Sequence, residues 1–500
     1  MLRRKLLQLM AAAPFGAAAL RQHAALSAAS PHIIVVLIDD LDANSVEFMP
    51  ITQERVFGQG ARCTQFFATT PLCAPSRATL LTGKYAHNHG VLRNTGEQAG
   101  YRAFRDSGAV QATIATTLQG AGYATALIGK FLNGYPLSDA EETDVPPGWS
   151  HWVVGADREA YAGENYLLNE DGVVSGYGQS SADYLTNVLA DRAVSFLSSA
   201  LPAGPTFLLF APYAPHQPAN PAPEDRGAFQ GAQAPRGGSF NERRTPAKPH
   251  WVSKTPRFTS SRIAKIDQNY QNRLESLQAV DRAIGRVLDT IDAAGARENS
   301  YIVFLSDNGY FLGEHRQPHG KDAPYDAASL VPAAITGPGI PAGSQLGDVV
   351  ANIDLAPTFL AMAGLSSQPD MDGRSLLPAL QGAGSVSRRY VLLEGFGKET
   401  EGQESGELTT PPFNALRSTK ILYTTYDTGE KELYDKQKDV AELKNRARDL
   451  KPELRKRYQG RLGDLTTCAG PTCRELEDAP IADKKRRRRK PRRRNRHVNG

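Results

Sequence analysis

Cysteine, tryptophan and methionine are scarce in this 500-residue chain, with four, three and five copies. Four cysteines cannot staple a fold of this size, so an apolar core must hold it. Long apolar runs are missing too. The leader MLRRKLLQLMAAAPFGAAALRQHAALSAAS is alanine-rich and broken by Gln8 and Pro14, short of the roughly 20 apolar residues that a membrane span needs. Its Arg3, Arg4 and Lys5, followed by a weakly apolar stretch and small residues, have the layout of an export signal over residues 1–30. The adjacent arginines match the twin-arginine route for folded proteins, and an ordinary secretory signal fits the same residues. Either route delivers a secreted, periplasmic or cell-surface protein. No long internal repeat is present, which excludes a solenoid.

Basic charge is also lacking outside the termini. The formal charge is +5, yet KKRRRRKPRRRNR (484–496) holds eleven Lys and Arg. Without that run and the four basic residues of the leader, about −10 remains on the body. Residues 476–500 therefore read as a disordered basic tail able to hold a polyanion, such as an acidic glycan or anionic cell-wall polymer, with no case for specific nucleic acid recognition.

What is abundant is punctuation: forty-five glycines and thirty-three prolines suit a loop-rich enzyme better than a helical bundle. Between these breaks lie β-branched runs, HIIVVLIDDLD (32–42) and SYIVFLSDNGYFLGEH (300–315), each an apolar strand ending in acidic or amide residues. YATALIGKFLNGY and PTFLLFAPYAPHQP are two further strands, ending near Lys130 and His216. Helical patterns at 76–84, 111–121, 183–200 and 262–294 alternate with them. The expectation is an α/β fold, a mostly parallel sheet sandwiched by helices, with ligands at the carboxyl ends of its strands. VVANIDLAPTFLAMAGL (349–365) reads as the last helix of the main domain, and residues 219–261 as a long irregular loop near the site mouth. Beyond it, RRYVLLEG, FNALRSTKILYTTYD and KELYDKQKD read as short antiparallel strands followed by a charged helix at 438–460, a smaller C-terminal α+β subdomain. The division is 31–383 for the main domain and 384–475 for the subdomain.

Asp39, Asp40, Asp307 and Asn308 arrive in two pairs at two strand ends. Carboxylates and an amide oxygen suit a hard cation, Ca²⁺ or Mg²⁺, rather than zinc. Three carboxylates gathered without a cation would raise one another's pKa values; the plain alternative is that each pair caps a turn. Among the cysteines, Cys468 and Cys473 flank Gly470 and Pro471 in TTCAGPTCRE, a layout for a local disulfide, and Cys63 reads as a small buried hydrophobe. Cys73 opens a helix one turn before Arg77, a setting in which a reactive thiolate and an inert buried thiol are both conceivable.

CAPSRATLLTGKY (73–85) resembles the signature of the sulfatase family, and VVLIDDLD, LIGKF, APHQP, FLSDNGYFLGEHR, GKDAPYD and ELYDKQKD resemble that family's further blocks in order, over about residues 31–460. GKFLNGY and VPPGWSHW are most similar to its N-acetylglucosamine-6-sulfatase-like subgroup. The resemblance implies an alkaline-phosphatase-like fold and a sulfuric ester hydrolase. It implies that a formylglycine-generating enzyme oxidises Cys73 to Cα-formylglycine (3-oxoalanine). One hydroxyl of the aldehyde hydrate would attack sulfur, and the other would expel sulfate. Asp39, Asp40, Asp307 and Asn308, with an oxygen of modified Cys73, would hold Ca²⁺. Arg77 would hold the hydrate, Lys130 and Lys321 would neutralise sulfate oxygens, and His216 would face the leaving oxygen. Many relatives carry a histidine two residues after the lysine corresponding to Lys130; here Leu132 stands there, and Asn133 is the candidate substitute. His87, His89, His315 and His319 read as structural. The competing readings are a phosphonate or phosphodiester hydrolase of the same superfamily and a non-catalytic polyanion-binding protein.

Overall fold

The computed structural model describes residues 30–137, 143–245, 247–397 and 409–481. The leader with its Arg3 and Arg4, and the basic run 484–496, lie outside them. Ten strands form one sheet: β1 (His32–Ile38), β2 (Ala61–Cys63), β4 (Ala124–Gly129), β5 (His151–Gly155), β6 (Leu167–Glu170), β7 (Val173–Gly176), β8 (Thr206–Ala211), β9 (Ser300–Ser306), β10 (Ala333–Thr336) and β11 (Ser344–Leu346). β3 (Phe66–Phe67) pairs with β12 (Val350–Ala351) beside it. The spatial order is β11-β2-β10-β9-β1-β8-β4-β5-β6-β7. The central run β9-β1-β8-β4-β5 is parallel throughout, and β1 is buried over its whole length, as a β-branched run covered on both faces must be.

Side chains alternate across this sheet and feed two cores. Ile33, Val35, Leu37, Phe207, Leu209, Val303 and Leu305 face α1 (Cys73–Thr82) and α4 (Leu355–Met362). Ile34, Val36, Ile38, Leu208, Phe210, Ile302 and Phe304 face α2 (Leu185–Ala203) and α3 (Ser260–Ala293). Burying both faces is what fixes the register of the central strands, because a one-residue slip would exchange the two cores.

The C-terminal unit is an antiparallel sheet, β13 (Val391–Gly395), β14 (Phe413–Arg417), β15 (Ile421–Tyr426) and β16 (Lys431–Asp435), with α5 (Pro452–Leu465) and α6 (Pro471–Asp478). A Cys468–Cys473 disulfide closes the turn between those helices. The charged helix expected over 438–460 forms only from Pro452 onward. Upstream, the Asp439 carboxylate accepts from Leu443 and Lys444 N–H groups, and Glu442 sits at φ 56° with its buried carboxylate on Lys436. Both features break a helix, and Pro452 then starts one at a position where its missing N–H costs nothing.

His89 anchors α1 from outside. Its Nδ1 accepts from Val91 N–H at 3.1 Å, which leaves the proton on Nε2, 3.0 Å from Thr79 Oγ1. Burial, reinforced by His87 and Lys84, pushes its pKa down to about 3. Between pH 3 and the ordinary 6.5 the unfolded chain therefore takes up a proton that the folded protein refuses, so stability rises with pH across that window. His89→Gln removes the titration and the hydrogen bonds together. Its deficit in stability against wild type should be largest at pH 7 and shrink by about 2–3 kcal/mol on going to pH 4.5, at ~1.4 kcal/mol per pH unit. Denaturant midpoints at these pH values check it; a deficit that grows on acidification would refute it.

Candidate active site

Register brings the two acidic pairs together. Ile38 of β1 lies opposite Ser306 of β9, so Asp39-Asp40 and Asp307-Asn308 leave adjacent parallel strands at the same level. Asp307 N–H still reaches Ile38 O at 3.1 Å, and Asp40 N–H donates to Asp307 Oδ1 at 3.1 Å. Asp40 takes φ 63°, a costly conformation for a non-glycine residue. It is held there by Ser306 Oγ, which accepts from Leu41 N–H, and by Arg273, which donates to Asp40 O. Two strands from β1, beyond β8, Gly129 of β4 sits at φ 121°, where a Cβ would lie 2.0 Å from Ala211 O. Glycine is therefore required there, and Lys130 follows it into the site through a 2.7 Å bond from its N–H to Ala211 O.

Helix α1 delivers Cys73 and Arg77, both buried. Leu72 gives α1 no side-chain cap; Asn94 Oδ1 instead accepts from Ala74 N–H at 2.9 Å. Ser76 Oγ donates to Asp307 O, and Asn352 Nδ2 reaches Ser76 Oγ at 2.9 Å, so the helix start is tied to the end of β9. The Cys73 thiol lies 3.5 Å from Asp39 Oδ1, 3.8 Å from Asp40 Oδ1 and 2.7 Å from Lys321 Nζ. Lys130 Nζ pairs with Asp39 Oδ2 at 2.7 Å, Lys321 with Asp40 Oδ1, and Arg77 Nε with Asp307 Oδ2 at 2.8 Å. His216 Nδ1–H donates to Gln217 O at 2.7 Å, which turns Nε2 toward Asp40 Oδ2 at 3.7 Å.

The electrostatics follow from this packing. Burial works against the charged form of Asp39, but Lys130, His216, Arg77 and Lys321 outweigh it and hold the carboxyl well below its usual range. Asp307 is pushed up to about 6 by burial, which Arg77 only partly offsets and Asp39 reinforces. Burial pushes the Cys73 thiol up to about 12 despite Lys130 and Lys321, so the unmodified residue is an inert thiol at neutral pH and not a thiolate nucleophile. Asp39, Asp40 and Asp307 face Arg77, Lys130 and Lys321, three charges against three.

A divalent cation fits the donors present. Asp39, Asp40, Cys73 and His216 offer four ligand atoms within 4.8 Å of one another. Asn308 Oδ1 is buried without a hydrogen-bond partner while its Nδ2 donates to Asp40 Oδ1 at 2.7 Å. Orphaned buried acceptors are uncommon, and an oxygen-rich set suits a hard ion. Asp307 is committed to Arg77 and to the Asp40 amide, whereas His216 stands among the potential ligands.

Beside this centre opens a cavity of about 970 Å³ lined by Arg93, Lys130, Asn133, Arg158, Tyr161 and His216 among others. Among the described residues its one carboxylate, Asp157, is spent on the Leu167 and Ala160 N–H groups. The loops 133–137 and 154–161 build the wall. Segment 219–261 does not line this cavity among the described residues. It packs on the stretch after β9, with Asn241 N–H donating to Gly313 O and Lys248 Nζ 2.7 Å from His315 Nδ1. His87 Nδ1 lies 2.8 Å from Glu394 Oε1, and His315 Nδ1 lies 2.6 Å from Glu242 Oε1, with burial pushing the His315 pKa down to about 4 so that its ring stays neutral. The sequence reading did not single out Arg273, Asn94 or Tyr161. Arg273 donates to both Asp40 O and Pro215 O, coupling the β1 end to the His216 loop; its one sequence signal is a charge on the apolar face of α3.

A family model described as Sulfatase matches residues 31–365, and one described as N-sulphoglucosamine sulphohydrolase, C-terminal, matches 313–466. N-acetylglucosamine-6-sulfatases of Capra hircus and Homo sapiens are each 33% identical, over 90% and 89% of this chain and 86% of each relative. The fold is shared with a protein solved in complex with its substrate D-glucosamine-2-N,6-O-disulfate, at TM-score 0.72 and 24% identity over 91% of this chain and all of that one. It is shared too with a phosphonate monoester hydrolase of Agrobacterium radiobacter, at TM-score 0.66 and 20% identity over 87% and 95%.

Proposed function

The chain belongs to the sulfatase family and is a sulfuric ester hydrolase; from that premise we propose that it removes the 6-sulfate of an N-acetylglucosamine unit or a closely similar sulfated sugar, using an oxidised Cys73 and Ca²⁺. The observation that carries the site is the placing of Cys73 Sγ, which marks where an oxygen of the formylglycine hydrate would stand, against Asp39, Asp40 and Lys321.

Asp39, Asp40, Asp307 and Asn308, with an oxygen of modified residue 73, would hold the cation, which leaves His216 Nε2 for the leaving oxygen. When bound it supplies positive charge that polarises the sulfate and acidifies the attacking hydroxyl. The chain's own residues supply the rest. With three acids already matched by three bases, a divalent ion leaves the site two charges positive, which draws in the singly charged sulfate ester and leaves one positive charge to meet the negative charge that develops as the S–O bond breaks. Arg77, whose Nη2 is buried without a hydrogen-bond partner, orients the hydrate and sulfate. Lys130 and Lys321 meet the charge that grows on sulfate oxygens, at positions fixed before substrate arrives. His216 protonates or hydrogen-bonds the leaving oxygen, and Asn133 contacts the sugar from the cavity wall.

Support for a sulfated glucosamine comes from the names of the mammalian relatives and the ligand of the structural neighbour, and from Arg93 and Arg158 on a wall whose carboxylate is spent. A phosphonate or phosphodiester substrate has the same fold behind it, since the phosphonate hydrolase shares it, but the relatives at 33% identity are sulfatases. The catalytic unit is assigned to 31–383, the subdomain to 384–475, export to the leader, oxidation of Cys73 to a formylglycine-generating enzyme, and glycan or other polyanion retention to the basic tail. A panel of N-acetylglucosamine 6-sulfate, other sulfated sugars, an aryl sulfate and a phosphonate monoester, each with and without a chelator, tests this. The 6-sulfate should lead in kcat/KM by about tenfold or more, a margin that a few buried contacts provide, and chelation should remove turnover until Ca²⁺ is restored. A phosphonate that leads the panel would overturn the assignment.

A further inference from the structure

Lys130, Asn133 and His216 come from three points of the chain, and Tyr161 touches all of them. Lys130 Nζ lies 5.1 Å from its ring centroid, the His216 ring 4.6 Å, and Asn133 Nδ2 3.4 Å from its hydroxyl. Tyr213 closes the far side edge-on at 5.2 Å. The turn Glu159–Tyr161 that presents the ring is pinned by Asp157 through the Ala160 and Leu167 N–H groups, and Asn220 Nδ2 donates to Ala162 O just after it. Leu132 is buried and gives no hydrogen-bond donor to this wall, while Asn133 Oδ1 is buried without a partner.

We propose that Tyr161 is the positioning residue of the leaving-group side, holding Lys130 by a cation–π contact and His216 by ring packing, with Asn133 fixed at its hydroxyl. The proposal rests on the sulfatase mechanism above. In that mechanism sulfur bonds to a hydroxyl oxygen of residue 73, whose proton passes to the flanking Asp39 or Asp40 carboxylate, while the ester S–O bond breaks with its electron pair on the leaving oxygen, which takes the Nε2 proton of His216 in its imidazolium form. A cation over an aromatic face is held by the ring quadrupole, so a ring-less residue removes one wall from both Lys130, still paired with Asp39, and His216, still bonded to Gln217 O, and lets both shift from their aligned positions. The penalty then grows with the basicity of the leaving oxygen, because a weakly basic phenolate departs without help and a sugar alkoxide does not.

The test measures kcat/KM for wild type, Tyr161→Phe, Tyr161→Leu and Tyr161→Gln across aryl sulfates of graded phenol acidity and N-acetylglucosamine 6-sulfate. Tyr161→Phe keeps the ring and should stay within about threefold on every substrate. The two ring-less variants should lose about 100-fold on the sugar sulfate and under about tenfold on the most acidic phenol, so that the dependence on leaving-group pKa steepens. Their crystal structures should show Lys130 or His216 displaced. Equal losses across the series, or unmoved Lys130 and His216, overturn the proposal alone; a wild-type protein with no turnover of any sulfate overturns it along with the mechanism it rests on.

Discussion

Replacing Cys73 with serine should lower turnover of every sulfate ester at least about 10⁴-fold, the scale on which a nucleophile's loss is felt, with little change in stability. Two features combine here. The native thiol is buried and pushed up to about 12, so cysteine itself cannot do the chemistry at neutral pH; and a serine hydroxyl that accepted sulfate would be left with a stable ester, because it has no geminal hydroxyl to expel it. The tryptic peptide 63–77, CTQFFATTPLCAPSR, distinguishes this from an ordinary thiol enzyme. In active protein it should be about 18 mass units lighter than its cysteine form, the difference between CH₂SH and CHO. Full activity from protein whose residue 73 is wholly unmodified would refute the formylglycine mechanism.

Arg77→Ala should carry the second largest effect, on stability as well as rate. Its Nε holds Asp307 at 2.8 Å, its Nη1 donates to Lys130 O at 2.7 Å, and its Nη2 lies 3.7 Å from Asp39. Removing one partner from such a buried cluster strands charge away from water and costs about 3–5 kcal/mol. Asp307, already pushed up to about 6, would rise further and take up a proton near neutral pH. Turnover should fall about 10³-fold, as when a preorganised donor is removed from a developing charge. Arg77→Lys should recover part of the stability, because an ammonium can meet Asp307, and little of the rate, because it has no fork to span Asp307, Lys130 O and sulfate. Denaturation midpoints, kcat and the mass of residue 73 separate the contributions. A variant with wild-type stability and full oxidation would show that Arg77 does not hold this cluster.

Much of the site was legible because its residues sit where periodicity changes. An apolar run that stops at Asp39-Asp40, and another that stops at Asp307-Asn308, mark strand ends, and strand ends of a parallel sheet meet by construction. Lys130 was legible for a related reason, since an apolar run ends beside it, whereas the close approach of Gly129 to Ala211 O emerged only from the packed sheet. Tyr161, Arg273 and Asn94 were not legible. Tyr161 lies in a turn, Arg273 in the middle of a long helix, and Asn94 in a loop twenty residues from the amide it caps; nothing local distinguishes them from surface polar residues. The helix expected at 438–460 failed for the opposite reason. Its composition is helical, but the partners of Glu442, Lys436 and His315, lie outside that segment, and satisfying a buried carboxylate outweighed propensity.

What the sequence determined by itself is therefore the set of chemical groups and the elements that carry them: acids and amide at two strand ends, Cys73 and Arg77 on one helix, Lys130 and His216 near the ends of two further strands. These follow from short-range physics, the β-branched run and the helix start. Tertiary structure alone decided how the charges cancel. It set three carboxylates against three bases, buried the Cys73 thiol so that it stays protonated at neutral pH, brought His216 within 4.8 Å of Asp39 and Asp40, and placed Tyr161 against Lys130 and His216. Burial and Coulomb interactions depend on distances between residues far apart in the chain, and only the packed sheet and its helices fix those distances.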